Sequence, residues 1–375
     1  MLVMIVATSM VNGFTTEITK KIFGFWGQVH VVKNEINDSF DETPISQNLP
    51  VVKKIKALEG IQSINAYATK AVILKTREEM EGIVMKGVDK DYDWTFLKQY
   101  LVAGKLPKFT SEGFSRDILI SATTARRLKL EVGQSVLVYF MKKGAKVPIG
   151  RKFAVSGFYN TGLEEYDQKF ALCDINLIRK VNKWSDDQVG GFEIKLDDIS
   201  KMDYFGDEIY YKMIDQNLFS YTIKEEYPNI FEWLSLQRLN ELIILLLMLL
   251  VAIFTMCTTL LILILDRTQM IGVLKALGAN NFTIMRVFVY HAAFIVLKGM
   301  VIGNIIGYGL CLVQKYFKVI RLPEADYYLS VAPVQFTLQS FLSINLITLL
   351  MCTIMLFLPA LLIANVKPLK AIRFD

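Results

Sequence analysis

The fold is decided by LIILLLMLLVAIFTMCTTLLILIL at residues 242–265 and by DRTQMIGVLKALG, which follows at residues 266–278. The first stretch carries no charged side chain. An uncharged run longer than about 18 residues can cross a hydrocarbon core about 30 Å thick. The second stretch is short and amphipathic, as in a helix that lies at a membrane surface. The sequence therefore predicts a transmembrane helix that continues into a surface helix, which suggests a machine driven from one side.

The charged residues divide the chain into a soluble part and a membrane part. Only 15 of the 78 charged residues lie after residue 240, while the whole chain is 53% apolar with a mean hydropathy of +0.36. A soluble domain is therefore expected to precede a membrane domain. The net charge of +6 is not gathered in a basic tract, so the sequence predicts no nucleic-acid partner.

Residues that could carry catalysis or bind a metal ion are few and scattered. The two histidines and four cysteines have no spacing typical of a metal site or a disulfide framework, so we predict neither a metal nor a catalytic residue. The acidic turn at Glu164, Glu165 and Asp167 is interpreted as solvated rather than as a general acid/base site. Gly104-Lys105 lacks the P-loop pattern, so any ATP must bind another chain.

The N-terminal segment predicts a first membrane helix that is truncated. Residues 1–16 are uncharged but span only about 24 Å at 1.5 Å per residue, short of a full crossing. The apolar face continues to Trp26, without the cleavage pattern of a signal peptide. We therefore expect residues 1–27 to form the end of a span and its extension, with the missing turns upstream.

Residues 28–229 predict an α+β domain of about 200 residues, large enough for its own core. Short β-branched runs predict five strands, at residues 29–32, 71–74, 117–120, 135–140 and 153–159. Apolar residues at intervals of three and four predict four helices, at residues 50–58, 122–128, 175–181 and 199–214.

The rest of the chain predicts three full spans, so that the α+β domain is inserted between spans one and two. The predicted segments are a stalk with span two (230–265), a cytosolic coupling helix (266–281), span three (282–314), an outer loop (315–337), span four (338–364) and a tail (365–375). Lys and Arg in the short loops number six on the side of the coupling helix and the C-terminus, against three on the other. This asymmetry predicts a cytosolic C-terminus and an outward-facing domain.

The coupling segment has the pattern of a short helix with defined ends. Gly278 is placed to stop it, and Asn280 or Asn281 can cap the next span. The helix either rests among lipid headgroups or inserts into a cytosolic partner, and the pattern leaves both open. The predicted contact residues are Gln269, Met270, Ile271, Val273, Leu274, Leu277 and Gly278.

Span three carries two further features. Gly299, Gly303 and Gly307 repeat every four residues, which allows close approach of another helix within one protomer or in a dimer. Lys298 lies near mid-bilayer, where it either snorkels, pairs inside the bundle or faces a polar cavity. We hypothesise that it receives a charged lipid group, an idea that unchanged transport by a stably expressed Lys298→Leu variant would remove.

With these motifs in view, the chain resembles the FtsX-like permease family, and within it the Lol-type lipoprotein-releasing permeases. Residues 266–279 are similar to the coupling segment of the family, and residues 117–136 to the strand, helix and glycine turn of its outer domain. Residues 161–167, TGLEEYD, resemble a run typical of the Lol-type members. Met270 stands where the family usually has Glu, which predicts a more apolar partner groove.

The resemblance implies an α-helical membrane protein of four spans with an FtsX/MacB-like periplasmic domain, located in the bacterial inner membrane. It further implies a second permease protomer, identical or different, and a cytosolic ATPase dimer that binds ATP and Mg, since this chain holds no cofactor. The implied activity is extraction of lipoproteins from the outer leaflet and their transfer to a periplasmic chaperone. Pro148, Gly150 and Arg151 lie in the hairpin at residues 141–152, where one of the two permease subunits contacts its chaperone.

Two other functions stay open at this point. One is a MacB-like efflux permease, and the other is an FtsX-like signalling scaffold that activates a cell-wall hydrolase. The Tyr166-Asp167 pair favours lipoprotein release over both.

Overall fold

The structure is a computed structural model that describes residues 1–35, 42–110, 113–141, 148–323 and 327–360. The chain divides into two compact units, and each is described by itself. The helical unit comprises residues 1–17, 232–321 and 331–375, and the α+β unit comprises residues 18–231 and 322–330.

The helices and strands are numbered in chain order. The helices are α1 (Leu2–Trp26), α2 (Pro50–Lys56), α3 (Thr95–Gln99), α4 (Ala122–Arg127), α5 (Glu164–Asp167), α6 (Ile175–Asn182), α7 (Met202–Glu208), α8 (Ile223–Glu226), α9 (Pro228–Asp266), α10 (Thr268–Ala276), α11 (Asn281–Phe317) and α12 (Leu338–Ala360). The strands are β1 (Val29–Lys33), β2 (Ile45–Ser46), β3 (Ile61–Lys75), β4 (Met80–Val88), β5 (Leu101–Gly104), β6 (Asp117–Ser121), β7 (Ser135–Phe140), β8 (Ile149–Tyr159), β9 (Phe170–Asp174), β10 (Gln188–Val189), β11 (Gly191–Leu196) and β12 (Leu218–Thr222).

Four helices in the described part of the chain, α1, α9, α11 and α12, are long and apolar enough to cross a membrane. Their number agrees with the prediction. α1 extends over 25 residues, or about 37 Å, because the residues up to Trp26 remain helical. The estimate from residues 1–16 alone was therefore too short, and truncation of this span stays a prediction. The end of predicted span four and the tail, residues 361–375, lie outside the described residues.

The α+β unit is built on a ten-stranded sheet. Its main path runs β12-β1-β11-β3-β4-β9-β6-β8-β5, while β7 pairs with β3 and β8. Most pairs are antiparallel, but β4 pairs with β9 and β6 with β8 in parallel. Each of the five predicted strands lies within a strand of this sheet. The predicted helix at 199–214 is instead a 3-10 turn (Ile199–Lys201), α7 and a π-turn (Ile209–Met213), because periodicity does not distinguish these forms.

One core cluster of the helical unit joins α9, α10, α11 and α12. Ile271 of α10 is fully buried and packs with Leu260 and Ile264 of α9 and with Ile284 and Phe288 of α11. Burial of a side chain of this size contributes about 2 kcal/mol. α10 is therefore attached to the two long helices that flank it.

Candidate functional site

The short helix α10 has defined boundaries at both ends. Gly278 adopts φ +92°, and its N–H donates to Lys275 O, while Ala279 N–H donates to Leu274 O, both at 3.0 Å. These two bonds form a Schellman motif, which requires a left-handed residue where glycine is unstrained. Asn280 caps α11 by accepting from Phe282 N–H. The predicted helix stop and cap are confirmed.

The two faces of α10 differ in exposure. Ile271 is directed into the helical core with 0% of its surface exposed, so it anchors the helix and offers no contact surface. Gln269 and Gly278, by contrast, are exposed. The outward apolar face, which we call the α10 face, is formed by Met270, Val273, Leu274 and Leu277, with exposed fractions of 43%, 49%, 37% and 79%. A fixed helix with four exposed apolar side chains can bind a complementary groove.

The glycine repeat of α11 packs only in part within the protomer. A Cβ on Gly303 would lie 2.8 Å from Met1 Cβ, and one on Gly307 would lie 3.3 Å from Ile5 Cδ1. Both glycines therefore permit close packing of α11 against α1. Gly299 is exposed, and a Cβ there would meet nothing within 4 Å among the described residues.

Lys298 is exposed on the same stretch of α11. Its Nζ lies 4.5 Å from the centroid of the Phe294 ring, one turn earlier. A cation over an aromatic face is stabilised electrostatically, more strongly where water is excluded. The structure thus leaves the ammonium group on the outer surface of this unit, where it can meet a polar or anionic group.

The predicted chaperone-contact residues lie mainly on a strand rather than in a loop. Gly150 and Arg151 belong to β8 and pair with Tyr139 and Val138 of β7, because the hairpin ladder extends further than the sequence pattern showed. Pro148 is exposed just before β8, and residues 142–147 lie outside the described residues. The Arg151 guanidinium lies 5.3 Å from the centroid of the Phe114 ring.

A buried ion pair holds the end of α1 within the α+β unit. Lys86 of β4 and Glu193 of β11 are 2.6 Å apart, and both side chains are fully buried. Lys86 Nζ also donates to Phe25 O at 2.7 Å and lies 4.0 Å from the centroid of the Trp26 ring. Burial lowers the pKa of Lys86, while the neighbouring Glu193 carboxylate opposes this shift. The cation therefore caps the last turn of α1 and links that turn to the sheet.

The TGLEEYD turn lies against the same end of α1. The Tyr166 ring stacks on the Phe25 ring with centroids 5.0 Å apart. Asp167 is 2% exposed and accepts from Thr161 Oγ1 and Gly162 N–H, both at 2.8 Å. The interpretation of a solvated turn was therefore wrong for Asp167, although Glu164 and Glu165 are exposed. The Asp167 carboxylate closes the loop and thereby fixes the Tyr166 ring, which packs on α1.

The sequence did not predict the buried ion pair of Lys86 and Glu193. A lysine between Met85 and Gly87 reads as a surface residue, because charged side chains are seldom fully buried. Glu193 lies in β11, where every residue is buried and the alternation that marks a strand is absent. The partner of each charge lies more than 100 residues away, so no local pattern identifies the pair.

His30 joins β1 to the last turn of α1 in its neutral form. Its Nε2 lies 2.7 Å from Trp26 O, and its Nδ1 lies 3.1 Å from Tyr221 Oη. Burial lowers the pKa of His30 to about 4, helped by the positive charge of Lys86 and opposed by the Trp26 carbonyl. In the neutral ring, Nε2–H donates to Trp26 O, and Nδ1 accepts from Tyr221.

The low pKa of His30 predicts acid sensitivity of the α+β unit. The unfolded histidine takes up a proton below its usual pKa of 6.5, whereas the folded one does so only near pH 4. The free energy of unfolding therefore falls as the pH drops from 6.5 to 4, by about 3 kcal/mol from this group. Denaturant unfolding of the detergent-solubilised chain and of His30→Gln would measure it. An equally steep loss in His30→Gln would assign the effect to other groups.

Comparison with known proteins gives a match in the second half of the chain, where residues 242–368 match the family described as FtsX-like permease C-terminal. The lipoprotein-releasing system transmembrane protein LolC of Xylella fastidiosa (strain 9a5c) is 26% identical over 309 residues, 79% of this chain and 73% of that protein. Its counterpart LolE of Haemophilus influenzae is 21% identical over 319 residues, 83% of this chain and 74% of that protein. Among solved structures, the periplasmic region of MacB from Actinobacillus actinomycetemcomitans is similar with a TM-score of 0.37 and 12% identity, over 54% of this chain and 92% of that one.

Proposed function

We propose, from the FtsX-like permease domain at residues 242–368 and the similarity of the chain to lipoprotein-releasing transmembrane proteins, that this protein is the permease subunit of an ABC transporter that releases lipoproteins from a membrane. The membrane is the bacterial inner membrane, and the α+β unit lies in the periplasm. The released lipoprotein passes to a periplasmic chaperone. The subunit itself is non-catalytic.

The observation that carries this proposal at the level of single residues is the α10 face. Its four apolar side chains are exposed while Ile271 of the same helix is fully buried in the core of the helical unit. A helix fixed in this way transmits displacement of its outer face to α9 and α11. A helix that merely rests among headgroups has no need of such an anchor. We therefore assign the face to a groove on a cytosolic ATPase.

The energy for release comes from that partner. Each CH₂ of an acyl chain that leaves a bilayer costs about 0.8 kcal/mol, so extraction of several chains far exceeds thermal energy. ATP and Mg are bound by the ATPase dimer, since the sequence of this chain has no P-loop. Closure of the ATPase dimer would displace both α10 helices of a permease pair together.

A second permease protomer, identical or different, completes the transporter. The most apolar 18-residue stretch of α9 has no buried residue within the protomer, and Leu246, Leu250 and Phe254 are more than half exposed. Apolar surface of this kind can face lipid, acyl chains or a second protomer. Lys298 is exposed on α11, and we assign it to binding the polar head of a lipid or lipoprotein near this apolar surface.

Purification of the solubilised complex through a tag on this chain tests the proposed function. The expected partners are an ABC ATPase, a second permease protomer and bound acylated protein, identified by mass spectrometry. Recovery of an outer-membrane channel without lipoprotein would replace the proposal with efflux. Recovery of a cell-wall hydrolase would replace it with a signalling scaffold.

A further inference from the structure

The α+β unit contains a large cavity beside the free edge of its sheet. The cavity has a volume of about 890 Å³. β12 pairs with β1 on one side and is the end strand of the described sheet. Four successive residues of β12, from Phe219 to Thr222, line the cavity, so residues from both faces of the strand contribute. The cavity therefore extends along the unpaired edge of β12.

The lining of this cavity is strongly acidic. Six of the lining residues are carboxylic acids and one is a lysine. Lys33 pairs with Glu35 at 3.4 Å, and Asp203 pairs with Lys224 at 3.2 Å, so acids still outnumber bases after both pairs are counted. Asp207 is exposed at the end of α7. His30, with its low pKa, adds no positive charge at neutral pH. A cationic occupant complements this lining.

Aromatic rings supply the rest of the wall. Tyr210 and Tyr211, on the π-turn at Ile209–Met213, are 42% and 76% exposed, and their ring centroids lie 4.9 Å apart. Phe219 of β12 is 40% exposed, with its centroid 5.9 Å from that of Tyr210. Exposed rings beside carboxylates bind ammonium and guanidinium groups by cation–π attraction. A π-turn is itself frequent at functional sites.

Ser220 contributes a buried polar group to the lining. Ser220 is 6% exposed, and its hydroxyl makes no hydrogen bond to any residue that the structure describes. A buried hydroxyl without a hydrogen-bond partner destabilises the protein. The site therefore combines this hydroxyl with acidic side chains and exposed aromatic rings.

We propose that this cavity binds an extended peptide segment of a partner protein that carries lysine or arginine side chains. The peptide backbone lies along the free edge of β12, where unpaired strand groups can add another strand. Its basic side chains meet Asp207 and the neighbouring acids, and the exposed rings of Tyr210 and Tyr211 cover them. This interaction surface is separate from the α10 face and does not depend on the proposed transport activity.

A labelled peptide of alternating lysine and threonine tests this site on the full chain in detergent, by fluorescence anisotropy. The lysine peptide is expected to bind at least about tenfold more tightly than a matched glutamate–threonine peptide. Asp207→Lys is expected to raise Kd about tenfold, and Tyr211→Ala to raise it severalfold. Glu131→Lys, an exposed acid outside the lining, is the matched control and should leave Kd unchanged.

A second variant tests the buried hydroxyl. Ser220→Ala is expected to raise the unfolding temperature of the free protein, because it removes a buried hydroxyl that has no hydrogen-bond partner among the described residues. Equal Kd values for Asp207→Lys and Glu131→Lys, with both proteins folded, would overturn the proposal. So would equal affinity for the lysine and glutamate peptides.

Discussion

Replacing Leu277 with aspartate is expected to uncouple this subunit from the proposed ATPase partner without unfolding it. Leu277 is 79% exposed, so a charge there remains in water in the free subunit. In the proposed complex with the ATPase the same charge would be buried in an apolar groove, which costs about 3 kcal/mol and weakens association about 100-fold. Val273→Asp should act in the same way, since Val273 is 49% exposed on the same face. Co-purification of the ATPase and ATP-dependent release of lipoprotein measure the effect.

Two controls make this result specific to the α10 face. Leu277→Met keeps apolar volume and is expected to retain association and release. Ile271→Ala is expected to lower the thermal stability of the subunit, because it opens a cavity in the helical core, whereas the aspartate variants leave stability unchanged. Full release by Leu277→Asp and Val273→Asp would show that the α10 face does not contact the ATPase.

Lys86→Met is expected to cause a large loss of stability in the α+β unit. It leaves Glu193 fully buried without a counter-ion and removes the bond to Phe25 O. Breaking a buried pair by removing one partner costs about 3–5 kcal/mol, a large share of the stability of a domain. Denaturant unfolding of the solubilised chain measures the loss.

A matched double variant distinguishes the cost of an isolated buried charge from the cost of losing the hydrogen bond to Phe25 O. Lys86→Met with Glu193→Leu removes both charges and should be less destabilised than Lys86→Met alone, because no isolated charge remains buried. If the single and double variants were equally destabilised, the buried charge would not be the cause. The loss would then be assigned to the hydrogen bond at the end of α1.

The sequence was sufficient for the membrane spans and for the ends of α10, but not for the full set of strands or their pairing. An uncharged run such as 242–265 predicts a span by itself, and Gly278 with Asn280 predicts two helix ends, because both signals are local. Strands β9 and β11 were missed because they are buried on both faces and lose the alternating pattern. The sheet order depends on contacts between residues far apart in the chain, which no periodicity encodes.

The same distinction applies to the candidate site. Amphipathic spacing identified the outward residues of α10, but it also grouped Ile271 with them, although the structure turns this side chain into the core. Three-residue spacing places residues on one side of a helix without showing where the neighbouring helices pack. Asp167 was read as solvated because its neighbours Glu164 and Glu165 are, yet the turn directs its carboxylate inward to Thr161 and Gly162.

The measurement that tests the central claim most directly is release of a triacylated lipoprotein from proteoliposomes that contain this subunit with the proposed ATPase and second protomer. Release to a soluble chaperone is measured in the presence of ATP, with wild type compared against Leu277→Asp. We predict ATP-dependent transfer by the wild type and about 100-fold less by Leu277→Asp at equal incorporation. If the assembled wild-type complex hydrolysed ATP while all lipoprotein stayed in the membrane, the proposed function would be contradicted.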